Sequence, residues 1–80
     1  MALHYFHISD GETILDREGS DLPDMASVRA EAVRTCRELL NLGHGEQLWG
    51  ANPWKVWVTD QPSGGGRTIA TIEVAASWLA

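Results

Sequence analysis

One helix, entered through an acidic and turn-rich segment, divides this chain into two strand-forming halves. The entry is Glu18-Gly19-Ser20-Asp21-Leu22-Pro23-Asp24, and the helix opens with Met25-Ala26-Ser27-Val28-Arg29-Ala30-Glu31-Ala32. Asp24 is suited to start it, because its carboxylate can accept from the open N–H groups of the first turn and its charge favours the helix dipole. Pro23 disfavours the α conformation at Leu22, which blocks extension backwards. Leu22 is then placed to staple against Val28. Met25, Val28, Ala32, Cys36, Leu39 and Leu40 fall on one stripe of the helix, with Ser27, Arg34, Arg37 and Glu38 opposite. Arg34 and Glu38 are spaced to pair, and Gly43 is a natural stop. The pattern predicts a helix over 24–42.

Leu3 to Ser9 reads as a strand containing Tyr5, Phe6, His7 and Ile8. Asp10-Gly11 predicts a two-residue hairpin turn, since both central positions require positive φ. That turn would pair Ile8 with Thr13, His7 with Ile14, Phe6 with Leu15 and Tyr5 with Asp16, making a hairpin over 3–16. Alternation puts Phe6, Ile8 and Leu15 on one face and Leu3, Tyr5, His7 and Ile14 on the other. Residues 43–53, with Gly43, Gly45, Gly50, Asn52 and Pro53, read as a loop into which Leu48 and Trp49 tuck. A second hairpin is predicted over 54–74: Trp54 to Asp60, a mobile Gln61–Gly66 connection, then Arg67 to Val74. The tail is 75–80. The order β-β-α-β-β predicts an α+β domain, an antiparallel sheet with one helix packed on one face.

Eighty residues make one domain. Such a chain buries only about 60% of the surface its unfolded form exposes. A single cysteine, Cys36, excludes an internal disulfide, and no Cys/His set has zinc-site spacing. Self-association is the remaining way to enlarge the buried surface. No basic segment followed by an apolar run marks a signal peptide, and no run approaches bilayer length, so the chain reads as soluble and cytoplasmic, without a membrane partner. The net charge is −5. Residues 1–24 carry six acids against Arg17, while the helix is slightly basic. This balance argues against a nucleic-acid partner, which needs a basic footprint. An acidic face suits a basic protein partner or solubility alone.

No group of residues assembles a reaction. His4 and His7 lie three apart on a strand and point to opposite faces, so they cannot share an ion. Cys36 lies past mid-helix on the apolar stripe, away from anything that would lower its pKa, and reads as a small core side chain. The acids from Asp10 to Asp21 lack the spacing of a calcium loop. Gly64-Gly65-Gly66 joins two strands, whereas a phosphate loop leads into a helix. His7 with Asp16 or Asp10 is the nearest approach to a titratable pair, and nothing else converges on it. No catalytic, cofactor-binding or metal residue is therefore assigned, and the chain is not read as an enzyme. Four tryptophans remain. Trp57 should project on the sheet face away from the helix, with Tyr5, His7, Ile14 and Ile69. An open face of that content is an interface candidate, since exposed apolar patches mark contacts and aromatics concentrate in their hot spots.

Tyr5-Phe6-His7, Asp10-Gly11, Asp16-x-Glu18-Gly19, Leu22-Pro23-Asp24, Glu31-Ala32 and Trp54-Lys55-Val56-Trp57-Val58-Thr59-Asp60 together resemble a family of small bacterial proteins classed as a domain of unknown function. The resemblance covers most of residues 4–74. It departs at the longer Gln61–Gly66 connection and the glycine-rich stretch around His44. It implies a bacterial cytoplasmic protein and brings no active site. A more distant likeness is to toxin-neutralising antitoxins with a partial ribonuclease-H fold, which share the aromatic strand, Asp-Gly turn, Leu-Pro-Asp-like segment and amphipathic helix. This chain lacks their Pro-x-x-Gly-Cys-like segment and a DNA-binding region.

The function expected from these observations is a non-enzymatic protein-interaction or regulatory module that self-associates as a homodimer through Tyr5, His7, Ile14, Trp57 and Ile69. The alternative is an antitoxin-like inhibitor that binds a basic partner through its acidic N-terminal third.

Overall fold

The computed structural model describes residues 2–41, 48–49 and 53–79. Five strands, β1 (Ala2–Ser9), β2 (Thr13–Ile14), β3 (Ser20–Leu22), β4 (Trp54–Thr59) and β5 (Thr68–Val74), form one antiparallel sheet, and a single helix α1 (Met25–Leu39) packs on it. The fold is α+β, as the pattern predicts. The strand order is β2-β1-β4-β5, and β3 also pairs with β1. β2 and β3 both lie on the outer side of β1, β2 against Ile8 and Ser9 and β3 against Ala2, Leu3 and His4. They are two fragments of an interrupted edge, so the element order is β-β-β-α-β-β, with one short strand more than expected.

The first hairpin is shifted by one residue from the expected register. Ile8 pairs with Ile14 and Ser9 with Thr13, which leaves Asp10, Gly11 and Glu12 as a three-residue loop. Only Gly11 has positive φ, at 105°, whereas a two-residue turn would need it at Asp10 as well. Asp10 stays in an ordinary conformation, its N–H donating to the Glu12 carbonyl at 3.1 Å and its Oδ1 accepting from the Glu12 N–H at 3.3 Å. The shift moves Ile14 onto the face of Ile8, because directly paired residues point the same way.

The helix starts where Asp24 stops the chain. Asp24 is extended, at φ −157°, and its Oδ1 accepts from the Ser27 N–H at 2.8 Å. Leu22 and Val28 share one core cluster, consistent with the staple. Arg34 donates to Glu38 at 2.6 Å and to Glu31 one turn earlier. The expected helix end at 42, the stop at Gly43 and most of the 43–53 loop lie outside the described residues.

Val28, Ala32, Leu39, Trp54, Val56 and Val58 are buried between helix and sheet. Around them pack Phe6, Ile8, Leu22, Leu48, Ala70, Ile72 and Val74. Of the predicted helix stripe, Met25 and Leu40 are exposed and Cys36 is half-buried against the Leu39–Trp54 cluster. The Gln61–Gly66 connection contains a short 3-10 turn at Pro62–Gly64, whose Ser63 N–H donates to the Asp16 carbonyl at 2.9 Å. The tail to Leu79 has no regular structure. Its Trp78 lies edge-on to Trp49, with ring centroids 6.1 Å apart.

Candidate functional site

The sheet face away from the helix carries Tyr5 and His7 on β1, and Lys55, Trp57 and Thr59 on β4. It divides into a covered half and an uncovered half. The covered half is centred on His7, which is fully buried. His7 Nδ1 accepts from the Asp16 backbone N–H at 2.9 Å, and Nε2 lies 2.8 Å from the Thr59 hydroxyl. That hydroxyl donates to the Gln61 carbonyl at 2.7 Å, so it must accept from His7. The ring is therefore neutral, with its hydrogen on Nε2. Burial holds its pKa below the ordinary value, and the nearby Asp16 carboxylate opposes this only in part.

Asp16 fills the gap between the two edge fragments. The Phe6 N–H, left without a strand partner there, donates to Asp16 Oδ2 at 3.1 Å. Oδ1 accepts from the N–H groups of Glu18 and Gly19 at 3.1 and 3.2 Å. Burial pushes this carboxyl's pKa up. The three backbone donors and His7 outweigh that, and the net shift is downward. The loop so formed lies over Tyr5: a methyl group at Gly19 would sit 2.8 Å from the Tyr5 ring. Leu15 meets Gly64 of the 3-10 turn from the other side. The loop and the turn together close the face over Tyr5 and His7.

The uncovered half begins at Trp57. Its ring lies 5.2 Å from that of His7, tilted by 43°, and Lys55 Nζ stands 5.4 Å from the ring centroid, within cation–π range. Trp57 is half-buried, as is Ile69, the extra residue at a bulge between β4 and β5. Beyond Trp57 the sheet ends at β5. No described residue pairs with the outer side of this seven-residue strand. On the helix side, a groove of about 220 Å³ runs between α1 and β5, lined by Arg29, Ala32, Val33, Ala70, Thr71 and Ile72. Val33 is half-exposed at its rim.

Of the five residues expected to form one open apolar face, Trp57 on β4 and Ile69 at the β5 bulge are half-buried. Tyr5 and His7 are buried under the Asp16 loop. Ile14 is exposed, but the register shift puts it on the helix side of the opposite edge. Thr59 and Val33 were not singled out by sequence reasoning, and Asp16 was named only as a possible titratable partner of His7. The Asp16–Gly19 spacing, an Asx turn ending in glycine, is the signal for the loop that Asp16 builds. Three of the six acids in residues 1–24 are engaged: Asp10 in its loop, Asp16 in the gap and Asp24 at the cap. His4 Nδ1 lies 3.1 Å from the Ala2 carbonyl. Among the described residues no group of three or more His, Cys, Asp or Glu is placed to hold a metal ion, and no helix is long and apolar enough to cross a membrane.

No curated protein and no solved structure matches this chain. Residues 3–75 match the family described as Domain of unknown function (DUF6894). That span takes in all of the sheet but Ala2, together with the helix, the Asp16 loop and the 3-10 turn, and so the chain belongs to the DUF6894 family.

Proposed function

We propose that this domain is a non-enzymatic protein-contact module that self-associates, with the cytoplasm as its compartment. The observation that carries the proposal is the outer edge of β5, with which no described residue pairs. Unpaired strand edges are templates for another strand, and single-chain proteins usually blunt them with proline, charge, shortness or a cover. β5 has seven residues, no proline and a single charge, Glu73, with a bulge at one end only. Trp57 lies one strand inside it, opposite Thr71, where an aromatic anchor would serve a contact. His7 and Asp16, drawn together under the loop, spend their polar atoms on backbone groups and Thr59, which favours a structural use for them.

Native mass spectrometry of the full chain, purified gently, tests the proposal. A homodimer that Trp57→Ala weakens by roughly tenfold or more, with unchanged helix content, is the expected result. A monomer at every concentration overturns it. A stoichiometric basic partner in place of a second copy would also overturn it and install the antitoxin-like reading.

A further inference from the structure

Resting on the self-association just proposed, we infer that the partner is a second copy of this chain, joined by antiparallel pairing of β5 with β5 across a two-fold axis at Thr71. The overlap of two Thr68–Val74 strands is greatest when Thr71 faces its own copy. Ile69 then opposes Glu73 of the second copy, and Ala70 opposes Ile72.

The charges on this strip select both the partner and the direction. The chain carries −5, so most of one copy's surface repels another. The strip made by β5, the adjoining Arg67 and the groove holds Arg29, Arg67 and Glu73, with the Asp60 carboxylate bonded to the Arg67 N–H and Lys55 paired across from Glu73, so it carries no net negative charge where two acidic molecules would meet. None of the three is in an ion pair among the described residues. Arg67 precedes β5 and Glu73 stands near its end. Antiparallel pairing about Thr71 keeps the two Glu73 side chains apart, each opposite Ile69 of the other copy, whereas parallel pairing would set them side by side. Both helices lie on one side of the joined sheet. The two grooves therefore abut at the axis, and the half-exposed Val33 of each copy covers the groove of the other. Such an interface is isologous and closes at two subunits.

Cysteine cross-linking in the full chain tests this. With Cys36→Ala as background, Thr71→Cys puts a single thiol on the axis, where paired strands bring Cα atoms within disulfide range. The expected result is a disulfide-linked dimer on mild oxidation, with no cross-link from Glu12→Cys at the opposite edge. Val33→Glu should weaken the non-covalent dimer at least tenfold while Thr13→Glu leaves it intact. A native dimer whose Thr71→Cys variant folds but does not cross-link would overturn the β5 pairing and leave self-association standing. A chain monomeric at all concentrations would overturn both.

Discussion

His7 is the residue at which the chemistry of this fold is most constrained. Its Nδ1 faces an N–H donor, so a second ring hydrogen would put donor against donor. The folded pKa lies below the ordinary 6.5. As pH falls from 6.5 towards that lowered value, the unfolded chain takes up a proton that the folded chain refuses, and stability is lost. The carboxyls of Asp16 and Asp24, lowered from 3.8, act in the same sense further down: their stabilisation is full above that value and disappears as pH falls through the lowered one. We expect the urea midpoint to drop between about pH 7.5 and about pH 5.5, and His7→Gln to remove most of that drop. An equal drop in the variant would show that another group is responsible. Gly19 makes the second residue-scale prediction. Its φ is 77° and its missing side chain makes room for the Tyr5 ring. Gly19→Ala should cost roughly 2 kcal/mol or more, from left-handed backbone strain plus overpacking. Gly11→Ala, at φ 105° with open space around it, should cost less in the same urea titrations. Neither His7's bonding nor the contact at Gly19 was legible in the sequence. Both depend on a loop folding back over a strand face, and alternation along the strand is silent about that.

At the scale of elements the helix was the most legible part. Its start is decided locally: Pro23 forbids one side, Asp24 caps the other, and Leu22 reaches Val28. Asp24→Ala should lower the thermal midpoint and reduce helical circular dichroism, whereas Glu38→Gln on the exposed face should do neither to a comparable extent. The sheet was legible in kind but not in register. Asp10-Gly11 marks a turn, yet the choice between two and three loop residues rests on whether Asp10 accepts positive φ, and that choice decides the face of Ile14. β3 was hidden because Ser20-Asp21-Leu22 is too short and polar to read as a strand. It forms because β1 offers it a paired edge at Ala2–His4. Between the fragments, Asp16 does with a carboxylate what a continuous strand would do with its backbone. Asp16→Ala leaves the Phe6 N–H without its acceptor and should destabilise by about 1–3 kcal/mol. Hydrogen exchange at the Phe6 amide should report the loss directly, and unchanged protection there would refute this role.

The whole molecule is a sheet covered on one face by α1 and on half of the other by its own loops, with β5 at one margin. If two copies join there, folding and association are one equilibrium, and the urea midpoint should rise with protein concentration. A midpoint independent of concentration would mean that each copy is stable alone. The candidate surface was half legible: Trp57 and Ile69 came from alternation, whereas Val33 and the groove did not, because the position of a helix across a sheet is set by packing at several strands at once. The two margins of the sheet are unequal. One is a full-length strand. The other is broken into pieces of two and three residues by the Asp16 loop, too short to recruit a third chain. If copies add at β5, addition proceeds from one side only, and the break at Asp16 would act as a terminator that halts the sheet at a pair rather than letting it grow into fibres.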